Sequence, residues 1–240
     1  MNELTAEVIP VDRLTPELRE GMYRLMCEHF SRVERSSFEH DLSDKEWVAL
    51  LRDENGILGG FSIMAVMHAK VNGVAVRAFY SGDTIVTQHC RQLFSLERMC
   101  MPFIYHRVLQ QPQFRWYWFI ICKGYRTYRY LQVHFRRYWP ALDVVTPPFE
   151  AEVLNTLALS RFGDDFNSET GIIATPNDYW LRDGIGDITS RELQKPHIRF
   201  FASMNPCWKT GTQLACLTEL SIENLHRMSW RMVRKELDAM

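Results

Sequence analysis

The stretch that decides the fold is Asp83-Thr84-Ile85-Val86-Thr87-Gln88-His89-Cys90-Arg91-Gln92-Leu93-Phe94-Ser95-Leu96. A short β-prone run passes through a polar loop into a segment with helical spacing of apolar residues, from Leu93 to about Leu109. It reads as strand, loop, helix. Working back from it, Ile57 to Ala69 is apolar and largely free of charge, and Asn72-Gly73 separates it from a second run that starts at Val74. An Asn-Gly pair between two β-prone runs signals a hairpin, because both turn positions need positive φ. The return run is expected to break or bend near Ser81-Gly82. Working forward, Phe114 to Cys122 reads as a dense aromatic and aliphatic strand, and Tyr125 to Tyr138 as a helix that Pro140 ends.

The flanks extend this pattern. Leu4 to Val11 reads as a strand, and Thr15-Pro16 caps and opens a helix to about Arg32. Ser43-Asp44-Lys45-Glu46 has the form of a capping box and is expected to open a second helix ending near Asn55-Gly56. Beyond Pro147-Pro148 come a helix (about 149–161) and a polar stretch from Gly163 to Asp187. A second capping box, Thr189 to Glu192, is expected to open a helix running to about Met204. A strand, Gln213 to Leu220, and a helix, Ile222 to about Leu237, follow. The order is β-α-α-β-β-β-α-β-α, then a mixed tail.

Composition narrows the function classes. The chain has 240 residues, 28 Lys+Arg and 29 Asp+Glu, and a formal charge of −1, which excludes a protein basic throughout and built to coat nucleic acid. From Arg98 to Leu142, however, stand Arg98, Arg107, Arg115, Lys123, Arg126, Arg129, Arg136 and Arg137 with no acid among them. That run is expected to present one basic face to an anion. The longest strongly apolar run, Trp116 to Cys122, is far short of the roughly 20 residues of a membrane span. The first twenty residues show no secretory signal pattern, and the six cysteines are widely spaced with no C-x-x-C. The expectation is a cytoplasmic protein with reduced thiols. No His and carboxylate pair at metal-ligand spacing, so no metal is expected. Gly184-Ile185-Gly186 lacks the third glycine and the preceding strand of a dinucleotide fingerprint and reads as loop.

The element order resembles the GNAT (Gcn5-related N-acetyltransferase) acyltransferase fold over about residues 1–140, with Gln213 to Leu220 as a late strand. The resemblance implies an α/β protein with a mixed central sheet flanked by helices. It divides the chain into a core, 1–146, and an enlarged C-terminal α-rich extension, 147–240, packed on it as one compact unit. In that family the strand–loop–helix carries Arg/Gln-x-x-Gly-x-Gly/Ala, whose loop amides hold the pyrophosphate of coenzyme A. Here Gln88 or Arg91 takes the first polar place. With Arg91 there, Phe94 and Leu96 stand where glycines belong, and a Cβ obstructs the approach of phosphate to backbone. The family's second block, Asn-x-x-Ala-x-x-x-Tyr-x-x-x-Gly-Phe, falls on Lys123, Arg126, Tyr130, His134 and Phe135, matching at the tyrosine and the phenylalanine.

The resemblance thus implies a donor site of Thr84, Ile85, Val86, Gln88, Arg91, Gln92, Lys123 and Arg126. Tyr130 is the acid for the departing thiolate, and Asp83 is either the base for an acceptor amine or a turn carboxylate. A further resemblance is to acyl-homoserine-lactone synthases and related enzymes that take acyl groups from acyl carrier protein. An acidic carrier suits the acid-free run. The expected function is acyl transfer from a coenzyme A or carrier-protein thioester to a small-molecule amine. The alternatives are a non-catalytic protein of this fold binding an acidic partner and, less favoured by the core-like aromatics, a single-strand nucleic-acid binder.

Overall fold

The computed structural model describes residues 4–93, 96–175 and 179–238, giving backbone alone for 91–93 and 96–99. β1 (Thr5–Pro10) leads into α1 (Pro16–His29), where the Thr15 hydroxyl caps Leu18 N at 3.3 Å and Met22, Leu25 and Met26 form the inner face. The two-residue strand β2 (Phe30–Ser31) and α2 (Arg35–Ser43) follow, then β3 (Trp47–Arg52) and β4 (Leu58–Val71).

Here the expected second helix is corrected. Ser43 closes a helix, its hydroxyl donating to His40 O at 2.7 Å, and Glu46 accepts from Val66 N on β4 at 2.6 Å. The residues assigned to that helix instead form β3, between β1 and β4. Val48, Ala49, Leu50 and Leu51 are all buried, with Val48 and Leu50 in one core and Ala49 and Leu51 in another. Burial on both faces in alternation is what an interior strand offers and a one-stripe helix does not.

Asn72 (φ 49°) and Gly73 (φ 83°) make the tight turn into β5 (Val74–Val86). β5 is one continuous strand, and the expected break is a β-bulge. Met64 faces Ser81 and Ser62 faces Thr84, so Ile63 alone opposes Gly82 and Asp83. α3 (Gln88–Leu93), α4 (Leu96–Gln110), β6 (Arg115–Cys122) and α5 (Tyr125–His134) complete this half. α5 stops short of Tyr138 because the chain turns to pair elsewhere: Phe135 bridges Leu225, and Trp139 bridges Leu217.

The remainder comprises α6 (Pro148–Phe162), the short strands β7 (Phe166–Asn167), β8 (Ile172–Ile173) and β9 (Trp180–Leu181), then α7 (Ser190–Leu193) and α8 (Pro196–Met204). The second capping box is present, with Thr189 and Glu192 capping reciprocally. The single helix expected after it is two, because Pro196 starts a new one. β10 (Gln213–Glu219) and α9 (Arg227–Leu237) follow, the latter after a 3-10 turn at Ile222–Asn224.

Eight strands form one sheet in the order β1-β3-β4-β5-β6-β10-β8-β7. β5 and β6 run parallel, and the other described neighbours are antiparallel. Side chains from α1, α2 and α6 pack on one face, and those from α4, α5, α8 and α9 on the other. Among the described residues no helix is long and apolar enough to cross a membrane.

Candidate active site

The parallel pair parts where the site begins. β5 and β6 keep register from Val76 opposite Arg115 to Ser81 opposite Ile120, and there the ladder stops. β5 continues along β4 to Val86, while β6 ends at Cys122 and turns at Gly124 into α5. The bulge at Gly82 and Asp83 lies at the point of parting. Thr87 N donates to Gly59 O at 2.9 Å, so Thr87 and Ile85 spend their backbone groups on β4. The alternation of an antiparallel ladder then turns the backbone N–H and C=O of Thr84 and Val86 toward the gap.

A cavity of about 420 Å³ fills this V. Trp118 and Ile120 line it from β6, Gly82 to Val86 from β5, and Lys123, Arg126, Arg129 and Tyr130 from the β6–α5 side. His29 and Phe30, with Leu181, Ile185 and Gly186, enclose it further, and the β2–β9 pair ties these two segments together. Several of its polar side chains have hydrogen-bond partners. Trp118 Nε1 donates to Ser81 Oγ at 2.7 Å, and the hydroxyls of Ser62 and Thr84 lie 2.8 Å apart. Asp83 Oδ1 accepts from the Tyr179 hydroxyl. Lys123 Nζ donates to the Tyr179 carbonyl at 3.0 Å and sits 3.3 Å from the centre of its ring. The Tyr130 ring meets Trp118 edge-on at 6.1 Å and packs 4.6 Å from His134, whose Nδ1 is 2.9 Å from Ser229 Oγ.

The residues anticipated from sequence divide accordingly. Asp83, Thr84, Ile85, Val86, Lys123, Arg126 and Tyr130 share this cavity. Gln88 is exposed at the start of α3, outside the lining. Arg91 and Gln92 have their backbone in α3, and their side chains lie outside the described residues, as do Phe94 and Ser95.

The single basic face is corrected. Arg115 pairs with Glu150 at 3.0 Å and Glu219 at 3.1 Å, Arg137 approaches Glu219 at 3.6 Å, and Arg107 lies over the Trp47 ring. Acids from distant parts of the chain thus pair with Arg115 and Arg137, Arg136 donates to the Leu225 carbonyl at 3.1 Å, and Lys123, Arg126 and Arg129 line the cavity. Sequence reading singled out neither Tyr179, which it placed only within a stretch that could wall an acceptor pocket, nor the enclosing Phe30 and Leu181. Tyr179 sits in a polar stretch with no periodic pattern, and only the fold brings it to Asp83.

No family model matches the sequence, and no curated protein matches it. Among solved structures it is similar to a probable N-acyltransferase from Enterococcus faecalis, at 15% identity and a TM-score of 0.42, over 55% of this chain and 33% of that one. The match thus spans about a third of that protein's length. It is also similar to a glucosamine-6-phosphate N-acetyltransferase from Arabidopsis thaliana, at 10% identity and a TM-score of 0.39, over 61% of this chain and 99% of that one. A third is a GNAT family N-acetyltransferase from Escherichia coli, at 15% identity and a TM-score of 0.34, over 55% of this chain and 68% of that one. The β4–β5 hairpin, the helical crossover from β5 to its parallel neighbour β6, and α5 after β6 are the parts of the expected order that the structure keeps; β3 and the split of the crossover into α3 and α4 depart from it. The mixed sheet flanked by helices is the α/β architecture that the resemblance implied.

Proposed function

We propose that the protein is an N-acyltransferase whose donor thioester lies in the gap between β5 and β6. The observation that carries this reading is the parted parallel pair, with the Thr84 and Val86 backbone turned into the gap. An extended pantetheine arm carries amides at strand-like spacing and would bond there as a further strand does. The same edge would align and polarise the acyl carbonyl. Lys123 and Arg126 supply positive charge toward the anionic part of the donor. The phosphates are those of coenzyme A or of a carrier protein's pantetheine. Phe94 and Leu96 in place of the loop glycines favour the carrier or a changed donor pose over ordinary acetyl-coenzyme A.

In the reaction the acceptor amine attacks the thioester carbonyl carbon. The C–N bond forms, the C–S bond breaks, Asp83 takes the amine proton, and Tyr130 donates its phenolic proton to the sulfur. Both side chains line the one cavity, which is the geometric requirement for a shared substrate.

Intact-mass detection of acyl transfer, using acyl-coenzyme A and acyl-carrier thioesters against a panel of amines, tests the reading. Transfer is expected, and Tyr130→Phe is expected to lower kcat by about a hundredfold or more with the donor KM little changed. Absence of both transfer and thioester binding would overturn the proposal. Stabilisation by an acidic partner alone would instead support a docking protein of the same fold.

A further inference from the structure

Asp83 stands at the bulge where β5 leaves its parallel neighbour, and a partner for its carboxylate arrives from a distant part of the chain. The Tyr179 hydroxyl donates to Asp83 Oδ1. Tyr179 is itself fixed on several sides. Lys123 Nζ holds its carbonyl at 3.0 Å and covers its ring at 3.3 Å, and Phe30 meets the ring edge-on at 5.0 Å. The next two residues, Trp180 and Leu181, pair with Ser31 and Phe30. A phenol held this way is aimed at one carboxylate with little freedom left to lose.

We propose that Tyr179 is a positioning residue for Asp83, orienting its carboxylate in the cavity and favouring its ionised form, while Lys123 clamps Tyr179. The inference rests on the reading of Asp83 as the base and adds a residue from the C-terminal half to that site. Its physical basis is that a hydrogen bond donated to a carboxylate stabilises the charged form. Other groups act on Asp83 as well. Lys45 and Tyr80 interact with it electrostatically, Asp41 and Arg161 are ion-paired beside Lys45, and His29 and Arg126 line the same cavity. All of these remain in place when only the Tyr179 hydroxyl is removed, so the difference reports that hydroxyl.

The test is a carbon-13 NMR titration of aspartate carboxyls in the full chain, with Asp83 assigned by the signal lost in Asp83→Asn. Tyr179→Phe keeps the ring and its contacts with Lys123 and Phe30. In that variant the Asp83 midpoint is expected to rise by about one pH unit, with the acid limb of kcat/KM moving by the same amount and the donor KM unchanged. A merely structural role would lower activity at every pH and leave the limb in place. The reciprocal measurement covers a poorly folding Tyr179→Phe: in Asp83→Asn the Tyr179 phenol midpoint is expected to fall.

Midpoints that stay put in both variants overturn the inference. If they move while Asp83→Asn still transfers acyl groups at full rate, the contact stands and the assignment of Asp83 as base fails. If Asp83→Asn abolishes transfer and the midpoints stay put, the positioning role alone fails.

Discussion

Lys45 is an ammonium group with a fully enclosed side chain. Its Nζ is 2.6 Å from Asp41 Oδ1 and 2.9 Å from the Asp41 carbonyl, and Asp41 also takes Arg161 at 3.0 Å. Burial lowers the Lys45 pKa, and the Asp41 carboxylate works against that shift. Loss of one partner from such a pair leaves a charge stranded, whereas replacing the cation with an apolar chain of similar volume does not. Asp41→Asn is therefore expected to cost about 2–3 kcal/mol in urea unfolding, less than for a fully buried pair because Asp41 is partly exposed. Lys45→Met should cost clearly less. Equal losses in the two variants would mean that the cluster is held by packing and not by charge.

At the scale of elements, the site depends on how closely β4 and β5 approach beside the cavity. A Cβ on Gly60 would lie 2.7 Å from the Ile85 carbonyl oxygen, a backbone atom that cannot swing away. Gly60→Ala must push β5 toward the gap, so we expect a loss of about 1–3 kcal/mol from overpacking. We also expect weakened thioester binding, because Thr84 and Val86 move with the strand. Denaturation and donor titration of the same variant check both, and unchanged stability would refute the close approach.

The elements also show what the sequence could reveal. The Thr15 cap, the Asn72-Gly73 turn, β6 and β10 were legible because local chemistry and tertiary demand agree there. β3 was not. Ala49, Leu50 and Leu51 favour a helix in isolation, and Ser43 with Glu46 imitates a cap. The two flanking strands decided otherwise, and strand propensity follows such surroundings. In the cavity lining, the places of Asp83 and Tyr130 could be read from sequence because they lie near recognisable strand–helix junctions. Tyr179 was not, since its partners lie about 50 to 150 residues away in sequence.

For the whole molecule, the many buried phenols set the response to alkali. Tyr80, Tyr105, Tyr117 and Tyr128 have their pKa raised above 10, chiefly by burial. A raised folded-state value means that their contribution is complete below pH 10 and is lost as the pH climbs, because the unfolded chain then releases protons that the fold retains. Each phenol adds a slope of up to about 1.4 kcal/mol per pH unit. Lys45 acts in the opposite sense, its lowered pKa letting stability rise toward pH 10.5, but it is one group against four. Urea unfolding at a series of pH values is thus expected to show stability falling steeply above pH 10. These four phenolates should appear in the 295 nm absorbance together with unfolding. Their ordinary titration near pH 10 in a folded chain would contradict the burial.

The position of β10 in the sheet has a consequence for how the chain is made. β6, with Trp116, Tyr117, Trp118 and Phe119, needs β10 along its second edge, and about ninety residues separate the two strands. At a synthesis rate of roughly 5–20 residues per second, that edge waits about 5 to 20 seconds for its neighbour to emerge. During this interval an aromatic strand with unpaired amides is available to any other chain nearby. The yield of native protein therefore depends on what shelters β6 on the ribosome, and slowing translation between residues 123 and 212 should divert more of the product into aggregates.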